Sequence, residues 1–278
     1  MKALQWKCRD RVLDLREPLI MGIVNVTPDS FSDGGTHVGL EAALDWGRKL
    51  ADEGAHILDV GGESTRPGAA DVSVQEELAR VVPVVRSLVA EGYTVSVDTS
   101  KSEVMRACLD AGVHILNDVR SFTEPGALQV AANSDAGLVI MHMQGAPRTM
   151  QASPHYEDVV AEVLAWLKER DADLRAAGVS PDRICWDPGF GFGKSTEHNF
   201  ALLRETALFA DQGRAYLMGL SRKSSLGAVT GQKDASKRIV SSVAGALFAV
   251  DRGAQIVRVH DVRETQEALA VWRAAQAV

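Results

Sequence analysis

The sequence predicts an α/β protein folded as a (β/α)8 TIM barrel, with a short N-terminal β-hairpin capping the barrel floor. Three observations carry this. Eight short apolar runs recur along the chain, at residues 19–25, 56–61, 94–99, 114–119, 137–143, 184–187, 215–220 and 255–260. Amphipathic stretches of helical period lie between them, at 40–53, 74–90, 102–111, 156–177 and 239–251, and Gly54, Gly92, Gly112, Gly178 and Gly253 stand where helices end. Strict alternation implies parallel strands joined by right-handed crossovers, and the length of 278 residues suits one closed barrel, typically about 250 residues, as a single domain over 1–278.

Taken in order, the first element is the hairpin, from 3–8 and 11–15 around a polar turn. The first barrel run then delivers Asn25 into the loop Thr27-Pro-Asp-Ser-Phe-Ser-Asp-Gly-Gly35, longer than the usual connection of about 4–6 residues. It is expected to be mobile and to order over bound ligands. In a barrel of this kind the C-terminal strand ends face the active site and the N-terminal ends face the structural rim. The second run leads to Glu63, Ser64, Thr65 and Arg66, a loop with one arginine among small residues that suits closure over an anion. The third ends in Asp98, which either terminates the strand or binds a ligand; Ser100 to Glu103 offer a separate capping box for the next helix. The fourth ends in Asn117, a ligand contact or an Asx turn with Asp118. The fifth supplies Met141 with His142, the sixth Asp187, held extended by Pro188 unless it only builds a turn. Lys223 follows the seventh. In the eighth, Arg258 and His260 alternate with Val257 and Val259 and so face the interior, where a ligand or a carboxylate must meet the arginine. His56 and His114 open their strands and read as structural.

The stretch from Asp187 to Ser195, DPGFGFGKS, is not a nucleotide P-loop, because Pro188 occupies the position of the required first glycine. Its glycines read as allowing backbone to approach a flat ligand, with Phe190 and Phe192 as apolar walls. Two carboxylates (Asp98, Asp187), an amide (Asn117) and an ammonium (Lys223) together match an aminopyrimidinone-like edge rich in N–H donors with one carbonyl.

Composition narrows the classes further. The chain is 46% hydrophobic, enough for a large core, and carries a net charge of −7. No run of Lys or Arg offers a footprint for nucleic acid or an acidic membrane, so any anion must be held by local cations. Cys8, Cys108 and Cys185 are odd in number and lack CxxC spacing, which argues against a disulfide framework or zinc site and fits a reducing cytoplasm. No stretch approaches the roughly 18 consecutive apolar residues of a membrane span, so a soluble, cytoplasmic protein is expected.

The motifs MGIVNVTPDSFSDGG, DVGGESTRPGA, SVDTSKSEV, ILNDV, DPGFGFGK, GLSRKSSLG and IVRVHDV, in this order over residues 20–262, resemble those of the dihydropteroate synthases of bacterial folate biosynthesis. The resemblance implies a barrel that joins 6-hydroxymethyl-7,8-dihydropterin diphosphate to 4-aminobenzoate with release of pyrophosphate, uses Mg2+, forms homodimers and is inhibited by sulfonamides. It also implies roles. Asp98, Asn117, Met141, Asp187, Lys223 and Arg258 match pterin-binding positions. Asn25, Arg66, Arg258 and His260 match those that hold pyrophosphate, with Asn25 also a Mg2+ contact. Phe31, Thr65, Arg66, Pro67, Phe192, Lys223 and Ser224 match positions around the aminobenzoate, and Asp33 lies in the first substrate loop. Asn25, Arg66, Lys223, Arg258 and His260 form the expected catalytic set. The chain departs from the family's more frequent residues at Lys237-Arg238 and Ser241-Ser242, in the helix before the last strand, away from the chemistry and near the expected dimer interface. A pterin-dependent methyltransferase of the same barrel superfamily would have no need of the STRPG and SRKS features, and a non-catalytic pterin-binding relative would be expected to lose members of the anion set.

Overall fold

The computed structural model describes residues 3–26, 36–64, 71–145, 150–151 and 153–276, and for 36–38 the backbone alone. Strands β3 (Leu19–Asn25), β4 (Ile57–Gly61), β5 (Val95–Asp98), β6 (Ile115–Asp118), β7 (Gly137–Met141), β8 (Ile184–Asp187), β9 (Ala215–Met218) and β10 (Ile256–Val259) close an all-parallel barrel, β10 pairing with β3. Helices α1 (Thr36–Asp52), α2 (Val74–Ala90), α3 (Ser102–Asp110), α4 (Ala127–Ala132), α5 (Val159–Ala176), α6 (Thr196–Arg204), α7 (Thr206–Ala210), α8 (Ser224–Thr230), α9 (Ile239–Asp251) and α10 (Val262–Gln276) follow the strands. The five closing glycines all adopt positive φ, from 90° at Gly92 to 105° at Gly54, as helix C-termini require.

Strand ends differ from expectation by one or two residues where side chains take over from the ladder. His56 and His114 precede their strands, and each accepts a backbone N–H of the neighbouring strand through Nδ1, from Ile20 and Val95 respectively. β7 stops at Met141 because the Ser121 hydroxyl bonds both its N–H and its carbonyl. The expected capping box on α3 is absent: Lys101 is the N-cap and makes no side-chain cap bond, since the Ser100 hydroxyl donates instead to Asp118 at 2.5 Å. α6 carries a capping box of Ser195 with His198 in place of Glu or Gln, so its start lacks the usual signature. Lys237 and Arg238 lie ahead of α9, in a short 3-10 turn and at the N-cap, whereas Ser241 and Ser242 are inside the helix.

The core has two parts. The larger lies between strands and helices, and the smaller fills the lower barrel with Met21, Ile57, Ile115, Val139, Cys185, Leu217 and Ile256. The hairpin of β1 (Gln5–Cys8) and β2 (Arg11–Asp14) closes that end. Trp6 and Cys8 press against Gly137, where an added Cβ would sit 2.5 Å from the Cys8 Sγ and 3.1 Å from the indole, and the Trp6 Nε1–H donates to the Arg183 carbonyl at 2.9 Å. Trp6→Ala empties a fully buried indole and is expected to cost about 3–5 kcal/mol of stability. Urea denaturation measures this, and a loss below about 1 kcal/mol would deny the hairpin its part in the floor.

Candidate active site

Inward-facing residues alternate along each strand, so the register lifts a polar layer directly above the apolar floor. Met21, Ile57 and Ile115 lie below; Asp59 pairs with Ile23 and Ser96 across the ladders, Gly61 with Asn25 and Asp98, and Asp98 with Asn117. Met141 pairs with Asp187 on the far side. The C-terminal mouth therefore gathers Asn25, Asp98, Asn117, Met141, Asp187 and Arg258 from six different strands.

Arg258 is the electrostatic centre. Its Nε donates to Asp59 Oδ2 at 2.6 Å and its NH2 to Asp98 Oδ2 at 2.8 Å. Of the two partners left open for this arginine, the carboxylate is realised twice, and one of them, Asp59, was missed in the sequence. Asn117 also turns to Asp59, donating from Nδ2 at 3.2 Å. The Asx-type turn belongs to Asp118, which accepts the N–H groups of Arg120 and Phe122. Burial pushes the Asp98 carboxyl up to about 7, with Asp59, Asp118 and Glu77 adding to the rise and Arg258 opposing it.

Asp187 combines both of its readings. Its Oδ1 accepts the Gly189 N–H at 2.7 Å, forming the turn, while Oδ2 lies 3.6 Å from where a Cβ on Gly219 would stand, inside the mouth. Burial raises its carboxyl above the ordinary value, and the nearby Lys223 is the main opposing influence. Lys223, the N-cap residue of α8, donates to the Phe190 carbonyl and holds its Nζ 4.0 Å from the centre of the Phe192 ring. Burial lowers its ammonium to about 7 against the pull of Asp187.

The glycine-rich segment works differently from expectation. A Cβ on Gly189 would stand 1.8 Å from the His142 carbonyl oxygen, and one on Gly193 2.4 Å from that of Gln144. These glycines let the loop pack against the chain after β7, both at positive φ. Lys194 fastens the packing: its fully enclosed Nζ donates to the carbonyls of His142, Gly189 and Phe192 at 3.0–3.2 Å and faces His142 Nδ1 at 3.0 Å. His142 thus turns away from the mouth, edge-on to Trp166, because it follows inward-facing Met141 on the alternate face. Phe190 is no pocket wall either; it is fully buried and packs edge-on against Phe200. Phe192 is half-buried beside Lys223.

At the rim, His260 donates its backbone N–H to the Ser221 hydroxyl oxygen at 3.2 Å, and its Nδ1 lies 3.0 Å from the same oxygen. Asn25 ends β3 with its side chain exposed, and Ser224 is exposed at the start of α8. Glu63 is taken up by Lys101, which also binds the fully buried Glu77, both at 2.5 Å. Phe31, Asp33, Thr65, Arg66 and Pro67, and with them the expectation that the loop 27–35 is mobile, lie outside the described residues.

The mouth can accept N–H groups at Asp98 and Asp187 and donate to a carbonyl from Lys223. It offers no thiolate: the three cysteines are free and buried, burial pushes the Cys108 thiol up to about 12, and Cys185 lies beneath Asp187 with its thiol raised by burial as well. Among the described residues no three His, Cys, Asp or Glu side chains group to hold a metal ion.

Residues 21–260 match the profile of the pterin binding enzymes. The dihydropteroate synthase of Haemophilus influenzae is 51% identical over 266 residues, covering 95% of this chain and 96% of that protein. Among solved structures, the Xanthomonas albilineans dihydropteroate synthase with 4-aminobenzoic acid superposes with a TM-score of 0.92 at 50% identity, covering 99% of this chain and all of that one. The Burkholderia cenocepacia dihydropteroate synthase complexed with 7,8-dihydropteroate gives 0.90 at 46% identity, covering all of this chain and 98% of that one. With half of its residues shared along nearly its whole length, and the same barrel beneath them, the chain belongs to the pterin-binding enzymes and, within them, to the dihydropteroate synthases.

Proposed function

We infer that the protein condenses 6-hydroxymethyl-7,8-dihydropterin diphosphate with 4-aminobenzoate to give 7,8-dihydropteroate and pyrophosphate. The observation that carries this is the agreement of whole-length identity to dihydropteroate synthases with a mouth whose acceptors and single ammonium complement a pterin edge. The bond from the pterin methylene to the diphosphate oxygen breaks, its electron pair leaving with pyrophosphate. The arylamine nitrogen then bonds to the methylene and gives up a proton. The cation left behind is delocalised into the pterin, so no protein nucleophile is required; the protein's contribution is position and electrostatics.

On this reading Asp98, Asn117 and Asp187 accept the pterin N–H groups, Lys223 donates to its carbonyl, Arg258 lies against the ring, and Met141 lines the pocket. Asn25, Arg66, Arg258 and His260 face the leaving pyrophosphate. Phe31, Thr65, Pro67, Phe192 and Ser224 surround the aminobenzoate, and Asp33 rides on the loop that covers both substrates. Asn25 supplies one hard amide oxygen, and among the described residues no acidic cage stands beside it, a donor set that fits Mg2+ held chiefly by diphosphate oxygens and water. Held there with the help of Asn25, such an ion would supply positive charge against that developing on the leaving group. The second reading, a pterin-dependent methyltransferase or a non-catalytic pterin binder, has no observation in its favour.

A homodimer formed through α8 and α9 is part of the same proposal. A groove there is lined by Phe200, Leu226, Val229, Val240 and Phe248, with Val240 83% exposed, and Lys237 and Ser241 border it. No helix among the described residues is long and apolar enough to cross a membrane; with three unpaired cysteines, the cytoplasm is the proposed compartment.

The reaction is tested by assaying pyrophosphate with both substrates and Mg2+ present. Release is expected to require each substrate and to stop when a chelator removes the metal; no release above background would overturn the reading. The pH profile tests the pocket. Below about pH 7 Asp98 gains a proton and stops accepting, and above it Lys223 loses one. kcat/KM for the pterin substrate is therefore expected to peak near neutrality and to fall toward about tenfold per unit on both limbs. Lys223→Met should remove the alkaline limb, and a flat profile from about pH 6 to 9 in the unmodified enzyme would contradict the assignment.

A further inference from the structure

We propose that Asp59 is a positioning residue for pterin recognition: one of its carboxylate oxygens fixes both the amide of Asn117 and the guanidinium of Arg258. The proposal rests on reading those two side chains as pterin contacts. Asp59 stands in the middle of β4, fully buried, on the inward face between Ile57 and Gly61. Its Oδ2 receives the Arg258 Nε–H at 2.6 Å and the Asn117 Nδ2–H at 3.2 Å. Its Oδ1 is buried with no hydrogen-bond partner among the described residues.

A carboxylate held this way is a poor choice for stability alone. Burying it costs solvation that pairing returns only in part, and apolar replacements of buried ion pairs are often neutral or stabilising. The neighbouring inward position across the ladder holds Ile23, so the barrel accepts an apolar residue at this level.

What Asp59 achieves is orientation. Asp59 Oδ2 accepts from both neighbours, so Asn117 presents its NH2 end to Asp59 and keeps its carbonyl oxygen for the ligand. Gripped at Nε by Asp59 and at NH2 by Asp98, the Arg258 guanidinium is held in one plane, the condition for lying flat against a ring. An asparagine at this position would also donate, and the amide of Asn117 could then turn over.

Steady-state constants are measured for the intact enzyme, Asp59→Asn, Asn117→Ala and the double variant. Asp59→Asn is expected to raise the KM for pterin diphosphate by about tenfold to a hundredfold, the scale of a charge-assisted hydrogen bond, while the KM for 4-aminobenzoate stays within about twofold. In the double variant the two effects are expected to fall well short of multiplying, since Asp59 acts partly through Asn117. An unchanged pterin KM in Asp59→Asn, an equal rise in both KM values, or full multiplication would overturn the positioning role while leaving the pterin pocket intact. An unchanged pterin KM in Asn117→Ala would overturn the reading of the pocket itself. If Asp59→Asn does not fold, Asp59→Ser is measured against the same expectations; failure of both to fold would make Asp59 a structural residue and end the proposal.

Discussion

Asp187→Asn is expected to raise the KM for pterin diphosphate by about a hundredfold, the upper part of the range for one charge-assisted hydrogen bond. The substitution keeps the shape of the side chain and isolates its chemistry. Asp187 Oδ1 is committed to the Gly189 N–H at 2.7 Å. An asparagine satisfies that bond with its carbonyl and must then turn its NH2 toward the mouth, so donor meets donor on the pterin edge. Lys223 also loses the carboxylate that chiefly opposes its burial, which lowers its ammonium further and weakens its bond to the pterin carbonyl. Steady-state kinetics and calorimetric titration read the effect, and an affinity within about threefold of the unmodified enzyme would remove Asp187 from the site.

Arg258→Met is expected to carry the largest stability cost of any single substitution in the mouth. It strips the shared cation from Asp59 and Asp98, leaving two carboxylates in a buried layer, and breaking such pairs by removing one partner costs about 3–5 kcal/mol. The loss should depend on pH with a definite sign. Burial already raises Asp98 to about 7 while Arg258 holds it down, so without the arginine its folded value rises further above its unfolded one. The folded state then binds more protons than the unfolded state, and stability falls as pH rises through that window. Urea denaturation should therefore show a larger deficit at pH 8 than at pH 5. A deficit below about 1 kcal/mol at pH 8, or one that grows toward acid, would contradict the account of this cluster.

The fold was legible because its signals are local. Eight apolar runs and five closing glycines are properties of short windows, and the barrel follows from their alternation. The boundary at Met141 moved because a distant side chain, Ser121, intervened there. Positions at the mouth were legible where a polar residue ends a run, as Asp98, Asn117 and Asp187 do. Asp59 was missed because it lies inside its run, two residues below Gly61; an acidic residue flanked by Leu58 and Val60 on an inward register was the available signal. The sequence places His142 at the mouth with Met141, yet the residue after the inward-facing end of β7 turns to the opposite face and packs on Trp166. The glycines around Phe190 revealed a close approach without revealing to what, and only the structure brings the carbonyls of His142 and Gln144 against them. Lys194 gave no local sign of its task, since its partners are backbone oxygens contributed in part by another loop.

A crystal structure of the protein with the pterin substrate bound would show directly which groups of the mouth meet the pterin. The pterin ring is expected in the barrel mouth, its N–H edge within about 2.7–3.2 Å of the carboxylates of Asp98 and Asp187 and of the Asn117 carbonyl oxygen, and its ring carbonyl facing Lys223 Nζ. A pterin seated elsewhere, or one whose edge is met by none of these groups, would contradict it.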